Sequence, residues 1–142
     1  MSRFGAAFRA TAFAVALAAC AGGRDGTITE PMDSGTGPVQ LRLKNSGSVA
    51  LTNVSVLVAD DVAPITTDVL QPGQTLSFVS RPRAHTDPAV SARVGGQTLS
   101  SLPIEGFSGF NPALTEGRYT VGLEATVLEG TLRLIVRVVR DQ

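Results

Sequence analysis

The chain has no tryptophan and only one cysteine, one histidine and one tyrosine in 142 residues. A single cysteine excludes an intrachain disulfide. One histidine without a second thiol supplies too few donors for a zinc site. Without tryptophan, an aromatic platform for stacking sugars is not expected. Three of the six phenylalanines (Phe4, Phe8, Phe13) fall within the first 13 residues, so the rest of the chain must build its core from Val, Leu, Ile and Ala. No charge dominates: 12 basic residues stand against 12 acidic ones. A nucleic-acid binder needs a basic face, so nucleic acid is not an expected partner. Lys44 is the lone lysine beside the arginines, which reads as compositional bias. Beyond Cys20 no window repeats its apolar residues every 3.6 positions, which argues against a helical domain.

What is present begins with a leader. Arg3 and Arg9 precede residues 10–19, which are apolar except for Thr11. Small residues then lead to Leu17-Ala18-Ala19-Cys20. This is the layout of an export signal, and it is too short to span a bilayer as a helix. Leu-Ala-Ala-Cys resembles the bacterial lipobox. The resemblance implies that the Cys20 thiol is lipidated and that cleavage makes Cys20 the new first residue. It divides the chain into a signal peptide over 1–19, a lipidated cysteine with a flexible linker over 20–37, and one domain over 38–142. The mature chain keeps ten basic residues against twelve acidic ones, a small negative charge. More than one acyl chain on a cysteine anchors firmly, at roughly 0.8 kcal/mol per buried methylene. Ala21 after the cysteine implies, among such lipoproteins, the outer membrane facing the periplasm. The linker is rich in glycine and polar residues without a period, and as a coil it spans on the order of 20–25 Å.

From Pro38 the pattern changes to period two, the signature of half-buried strands. Val39, Leu41 and Leu43 alternate with Gln40, Arg42 and Lys44, and Asn45-Ser46-Gly47 follows as a turn. Val54, Val56 and Val58 mark the next strand, and residues 66–70 a short one. Gln71-Pro72-Gly73-Gln74 carries the Pro-Gly of a type II turn. Leu76 and Phe78 are expected to share a face over 75–80. Gly95-Gly96 between residues 89–94 and 97–102 is a two-residue hairpin signal. In the last hairpin, Tyr119, Val121, Leu123, Ala125 and Val127 share one face, as do Leu132, Leu134, Val136 and Val138. A two-residue loop at Glu129-Gly130 sets Val127 opposite Leu132 and Val121 opposite Val138, because a one-residue slip would turn one apolar face to water. Glu124 then lies diagonal to Arg133 and Arg137, a cross-strand charge cluster. Seven or eight short strands with frequent turns predict an all-β, antiparallel sandwich, preceded by the signal helix and the tether.

Leu114-Thr115-Glu116-Gly117-Arg118-Tyr119-Thr120-Val121 resembles the tyrosine corner of immunoglobulin-like and fibronectin-type sandwiches. That resemblance implies a structural role for Tyr119, its hydroxyl bonding back to upstream backbone. The run from Val39 through Asn45-Ser46-Gly47 to Leu70-Gln71-Pro72-Gly73-Gln74-Thr75 is similar to bacterial adhesion-related Ig-like domains. The whole resembles small bacterial lipoproteins with one such domain. No catalytic residue comes with the resemblance.

Candidate chemistry is sparse. His85 with Asp87 lacks the Gly-x-Ser-x-Gly elbow of a hydrolase and sits in a loop with two prolines. Asp60-Asp61 with Asp68 lacks the Asp-x-Asp-x-Asp-Gly spacing of a calcium loop. Asn53-Val54-Ser55 matches a glycosylation sequon, which the bacterial leader argues against. Phe107 and Phe110, flanked by Gly and Pro, either form an exposed contact or fold under as a plug for the sandwich end. The outward face of Arg133, Ile135, Arg137 and Val139 mixes charge with apolar bulk and is the second candidate contact. The expectation is therefore no enzyme, no cofactor and no metal. It is a membrane-anchored envelope lipoprotein acting as a protein-interaction or structural module, with an envelope protein as partner and a candidate partner surface at Phe107, Phe110, Arg133 and Arg137. A small-ligand-binding accessory module for envelope transport or assembly is the rival.

Overall fold

The computed structural model describes residues 35–104, 106–107 and 109–142. The leader, Cys20 and most of the linker lie outside the described residues. Eight strands follow in order: β1 (Val39–Asn45), β2 (Leu51–Leu57), β3 (Ile65–Leu70), β4 (Val79–Arg81), β5 (Ala89–Val94), β6 (Gln97–Ser101), β7 (Gly117–Leu128) and β8 (Thr131–Arg140). They form two four-stranded sheets, ordered β4-β1-β7-β8 and β3-β2-β5-β6. Their inner faces pack together as an all-β sandwich.

The period-two pattern drives this packing. Leu41, Leu43, Leu51, Ile65, Leu70 and Leu123 are fully buried, while Lys44 and Arg133, on the alternate face of their strands, are exposed. Burying each large aliphatic side chain contributes about 1.5–3 kcal/mol. Exposed ion pairs contribute about 0–1 kcal/mol. The apolar pattern therefore decides the fold.

β7 and β8 pair in the register set by their apolar faces: Val121 with Val138, Leu123 with Val136, Ala125 with Leu134 and Val127 with Leu132. Glu129 and Gly130 both have positive φ, 51° and 76°, as a two-residue hairpin loop requires. At Gly73 φ is 75°, and Gln74 N–H donates to the Gln71 carbonyl at 3.0 Å, which closes the Pro-Gly turn.

Two features differ from the sequence reading. First, the sandwich is not wholly antiparallel: β1 and β7 run parallel, from Val39 opposite Gly117 to Asn45 opposite Leu123. Second, Leu76 and Phe78 do not share a face. Lys44 pairs with Thr75 and Leu41 with Val79, so four steps on one segment oppose three on β1. This bulge keeps Leu76 in the core at 5% exposure. It places Phe78 among outward side chains, 4.7 Å from the Arg42 guanidinium and 5.2 Å from that of Arg118. Glu124 lies diagonal to Arg133 and Arg137 in the expected register and forms no close ion pair with either, as a solvated cluster does.

Tyr119 is buried, and its hydroxyl donates to the Thr115 carbonyl at 3.1 Å. The Thr115 hydroxyl lies at the same distance from it. Tyr119→Phe is expected to cost about 1–2 kcal/mol, because the carbonyl loses its donor. Chemical denaturation of the two proteins measures this, and coincident curves would refute it.

Candidate functional site

The strand directions gather one set of loops at one pole. β1 begins there, β4 ends there and β7 begins there, since Val39 pairs with both Arg81 and Gly117. The end of β2 and the starts of β3 and β5 lie at the same pole, tied across by His85 N–H on the Val58 carbonyl and Leu114 N–H on the Ala84 carbonyl. Three segments, 58–64, 82–88 and 102–116, therefore converge.

They enclose an open cavity of about 430 Å³ whose lining includes Asp60, Asp61, Arg83, His85, Phe107 and Asn111. Arg83 Nε donates to Asp61 Oδ1 at 2.7 Å, and a second guanidinium nitrogen contacts Oδ2. That hydrogen bond holds the Asp61 carboxyl below the usual carboxylate range and raises Arg83. Both side chains are well exposed, so water screens the pair and it adds little stability.

His85 is half-buried. Its Nδ1 lies 2.6 Å from the Asn111 carbonyl oxygen. A carbonyl only accepts, so Nδ1 carries a proton and donates it into this bond. The nitrogen that a triad carboxylate would hold is thus occupied by backbone. Asp87 instead accepts from Ile104 N–H through Oδ2 at 3.3 Å. The His85–Asp87 relay does not form. Among the described residues, no three His, Cys, Asp or Glu side chains are placed to hold a metal ion, and Asp68 stands apart on β3.

Asn111 organises this pole and went unnoticed in the sequence. It is 5% exposed. Its Nδ2 donates to the carbonyls of Asp87 (2.8 Å) and Gly106 (3.0 Å), and its Oδ1 accepts Asp87 N–H at 3.0 Å. The two aromatics divide. Phe107 is half-buried with its ring 5.4 Å from the His85 ring, while Phe110 is 83% exposed. Neither reading of the pair as a unit, plug or contact, describes both. Leu102 and Ile104 in the same segment are also exposed, a feature that apolar residues without a period between prolines and glycines could have signalled.

Arg133 and Arg137 are exposed on the outer face of β8. Arg137 borders a hollow with Arg42, Lys44 and Val139, floored by Gly122. Arg42 there is committed to Asp141, 3.1 Å away, and to the Thr120 hydroxyl at 2.9 Å. Among the described residues β8 pairs with β7 alone, which leaves its other edge open there. In a two-residue hairpin the residues closing the loop are hydrogen-bonded to each other. Leu128 and Thr131 close this one. Counting on by two, the N–H and C=O groups of Leu132, Leu134, Val136 and Val138 point away from β7. Toward the hairpin this edge faces the open edge of β6 across a cleft of about 560 Å³ lined by residues 97–101 and 131–134.

No family model and no curated protein matches the chain. Among solved structures, the chain is similar to an NMR structure of a protein from Eubacterium rectale, with TM-score 0.48 and 16% identity over 69% of this chain and 86% of that one.

Proposed function

We propose that the chain is an envelope lipoprotein, anchored through Cys20, whose Ig-like sandwich binds an extended segment of another envelope protein and catalyses no reaction. The observation that carries this reading is the open edge of β8. It is ten residues long, has no proline and no acidic residue, and borders the cleft between β6 and β8. Unpaired backbone groups on such an edge accept an added strand. Arg133, Arg137 and Arg140 oppose pairing with a second basic strand and select an acidic one. A strand entering here meets N–H and C=O groups on β8 and fills the cleft toward β6.

In vivo crosslinking followed by recovery of the chain from intact envelope tests this. Arg133→Glu with Arg137→Glu is expected to lower partner recovery by about tenfold or more. Both side chains are exposed, so the melting temperature stays near that of the wild type. Unchanged recovery refutes the β8 site, and loss on Phe110→Ser alone moves the contact to the 102–112 segment. The cavity at the other site supports a second reading, a small-ligand module, because its volume and converging Asp61, Arg83 and His85 suit a small polar ligand.

A further inference from the structure

We propose that Leu102, Ile104 and Phe110 rest on the lipid surface and set the domain on the membrane with this pole down. The inference builds on the reading of Cys20 as the acylated residue.

These three side chains are 74%, 93% and 83% exposed, more than any other large hydrophobic residue described. All belong to one segment at one pole. Apolar groups so concentrated mark a contact with something other than water. The identity of that contact follows from where the chain enters. Gly35 and Gly37 lie against Ser80 and Arg81, at the end of β4 and beside the start of β1. A Cβ on Gly37 would stand 2.1 Å from the Arg81 carbonyl oxygen, at a φ of +139°, so glycine fixes this close entry. The 102–116 segment leads into Gly117, which pairs with Val39 at the same pole. The anchored end of the chain and the exposed apolar segment therefore share one pole.

Fourteen residues separate Cys20 from Gly35. Whatever their conformation, they hold Gly35 within about 50 Å of the lipidated residue. At that tether length a weak apolar contact with the bilayer is made at high effective concentration. The β7–β8 hairpin, with Val127 and Leu128 exposed, lies at the far end of a 12-residue strand, about 40 Å away. Charges of both signs surround the apolar segment, Asp60, Asp61, Asp87 and Glu116 beside Arg83 and Arg140. The contact is accordingly hydrophobic and not an attraction to anionic headgroups. The acyl chains retain the protein, and the segment orients it. In that pose the hairpin pole is directed away from the bilayer and the β8 edge stands upright beside it.

The absence of native tryptophan makes a single-reporter test clean. Phe110→Trp and, at the opposite pole, Gln97→Trp are made in the chain from residue 21 to 142, with a histidine tag in place of Cys20. Each protein is attached to vesicles of phosphatidylethanolamine and phosphatidylglycerol containing a nickel-chelating lipid and brominated acyl chains. The reporter at 110 is expected to shift to the blue and lose about half its emission, unchanged by added salt, while that at 97 is unaffected. Ile104→Trp provides a second reporter on the same segment. Vesicle-bound protein with no quenching at 110 and 104, or with equal quenching at 97, overturns the proposal. A protein or peptide that protects these residues in place of lipid gives the first of those results. Because the tag supplies attachment, failure here is separate from failure of the Cys20 reading, which mass spectrometry of the mature N-terminus decides.

Discussion

Asn45→Asp is expected to cost about 3–5 kcal/mol at neutral pH, although it changes one amide to a carboxylate of the same shape. Asn45 is fully buried at the end of β1. Its Nδ2 donates to the carbonyls of Val49 at 2.8 Å and Leu70 at 2.9 Å. Its Oδ1 accepts Gly47 N–H at 3.0 Å. Its backbone N–H and C=O bond to Gln74 and Gly73, each at 2.9 Å. The side chain thus ties β1 to the 46–50 loop and the end of β3, while the backbone of the same residue holds the Pro-Gly turn. A carboxylate there sets negative oxygen against two carbonyls with no solvent to relieve it. The folded protein would hold the new carboxyl neutral, so its pKa lies above the unfolded value. The sign follows: the loss is smallest in acid and deepens as pH rises past the ordinary carboxylate value. Urea denaturation at several pH values measures this. A variant as stable as the wild type at neutral pH would show that the hub is dispensable.

Asn111→Ala is expected to cost about 2–4 kcal/mol, because the Asp87 N–H and the Asp87 and Gly106 carbonyls lose their partner together. The effect is local. Bonds from Thr86 N–H to the Pro112 carbonyl and from His85 Nδ1 to the Asn111 carbonyl keep the 102–112 segment beside 85–88, but without the side-chain bonds it opens more often while the sheets persist. Chymotrypsin, which cuts after Phe, is expected to cleave at Phe107 and Phe110 faster in the variant than in the wild type. Equal cleavage rates would refute the pinning role.

The two hubs also show where sequence reading stops. Asn45-Ser46-Gly47 announces a turn, and the bond from Gly47 N–H to Asn45 Oδ1 is of the local kind that such a triplet encodes. The bond from Asn45 to Leu70 crosses 25 residues, and nothing local encodes it. Asn111 reaches Asp87 over 24 residues in the same way and looks in the sequence like one more loop asparagine.

Features that depend on short range were legible in the residues alone. Alternation fixed which side chains of β1, β7 and β8 face inward. Apolar faces and the Glu129-Gly130 loop fixed the hairpin register pair by pair, because a slip of one residue would expose a whole face. Pro72-Gly73 fixed its turn through φ. The tertiary structure alone decided which strands become neighbours. β1 lies parallel to β7 across 78 residues, a pairing that no period announces. It alone decided that Phe78 leaves the core at a bulge, that Phe107 and Phe110 part company, and that His85 Nδ1 donates a hydrogen bond to the Asn111 carbonyl. The physical reason is common to these cases. Period and turn propensity act between residues a few positions apart, whereas packing two sheets and satisfying buried polar groups couples residues that only the fold brings together.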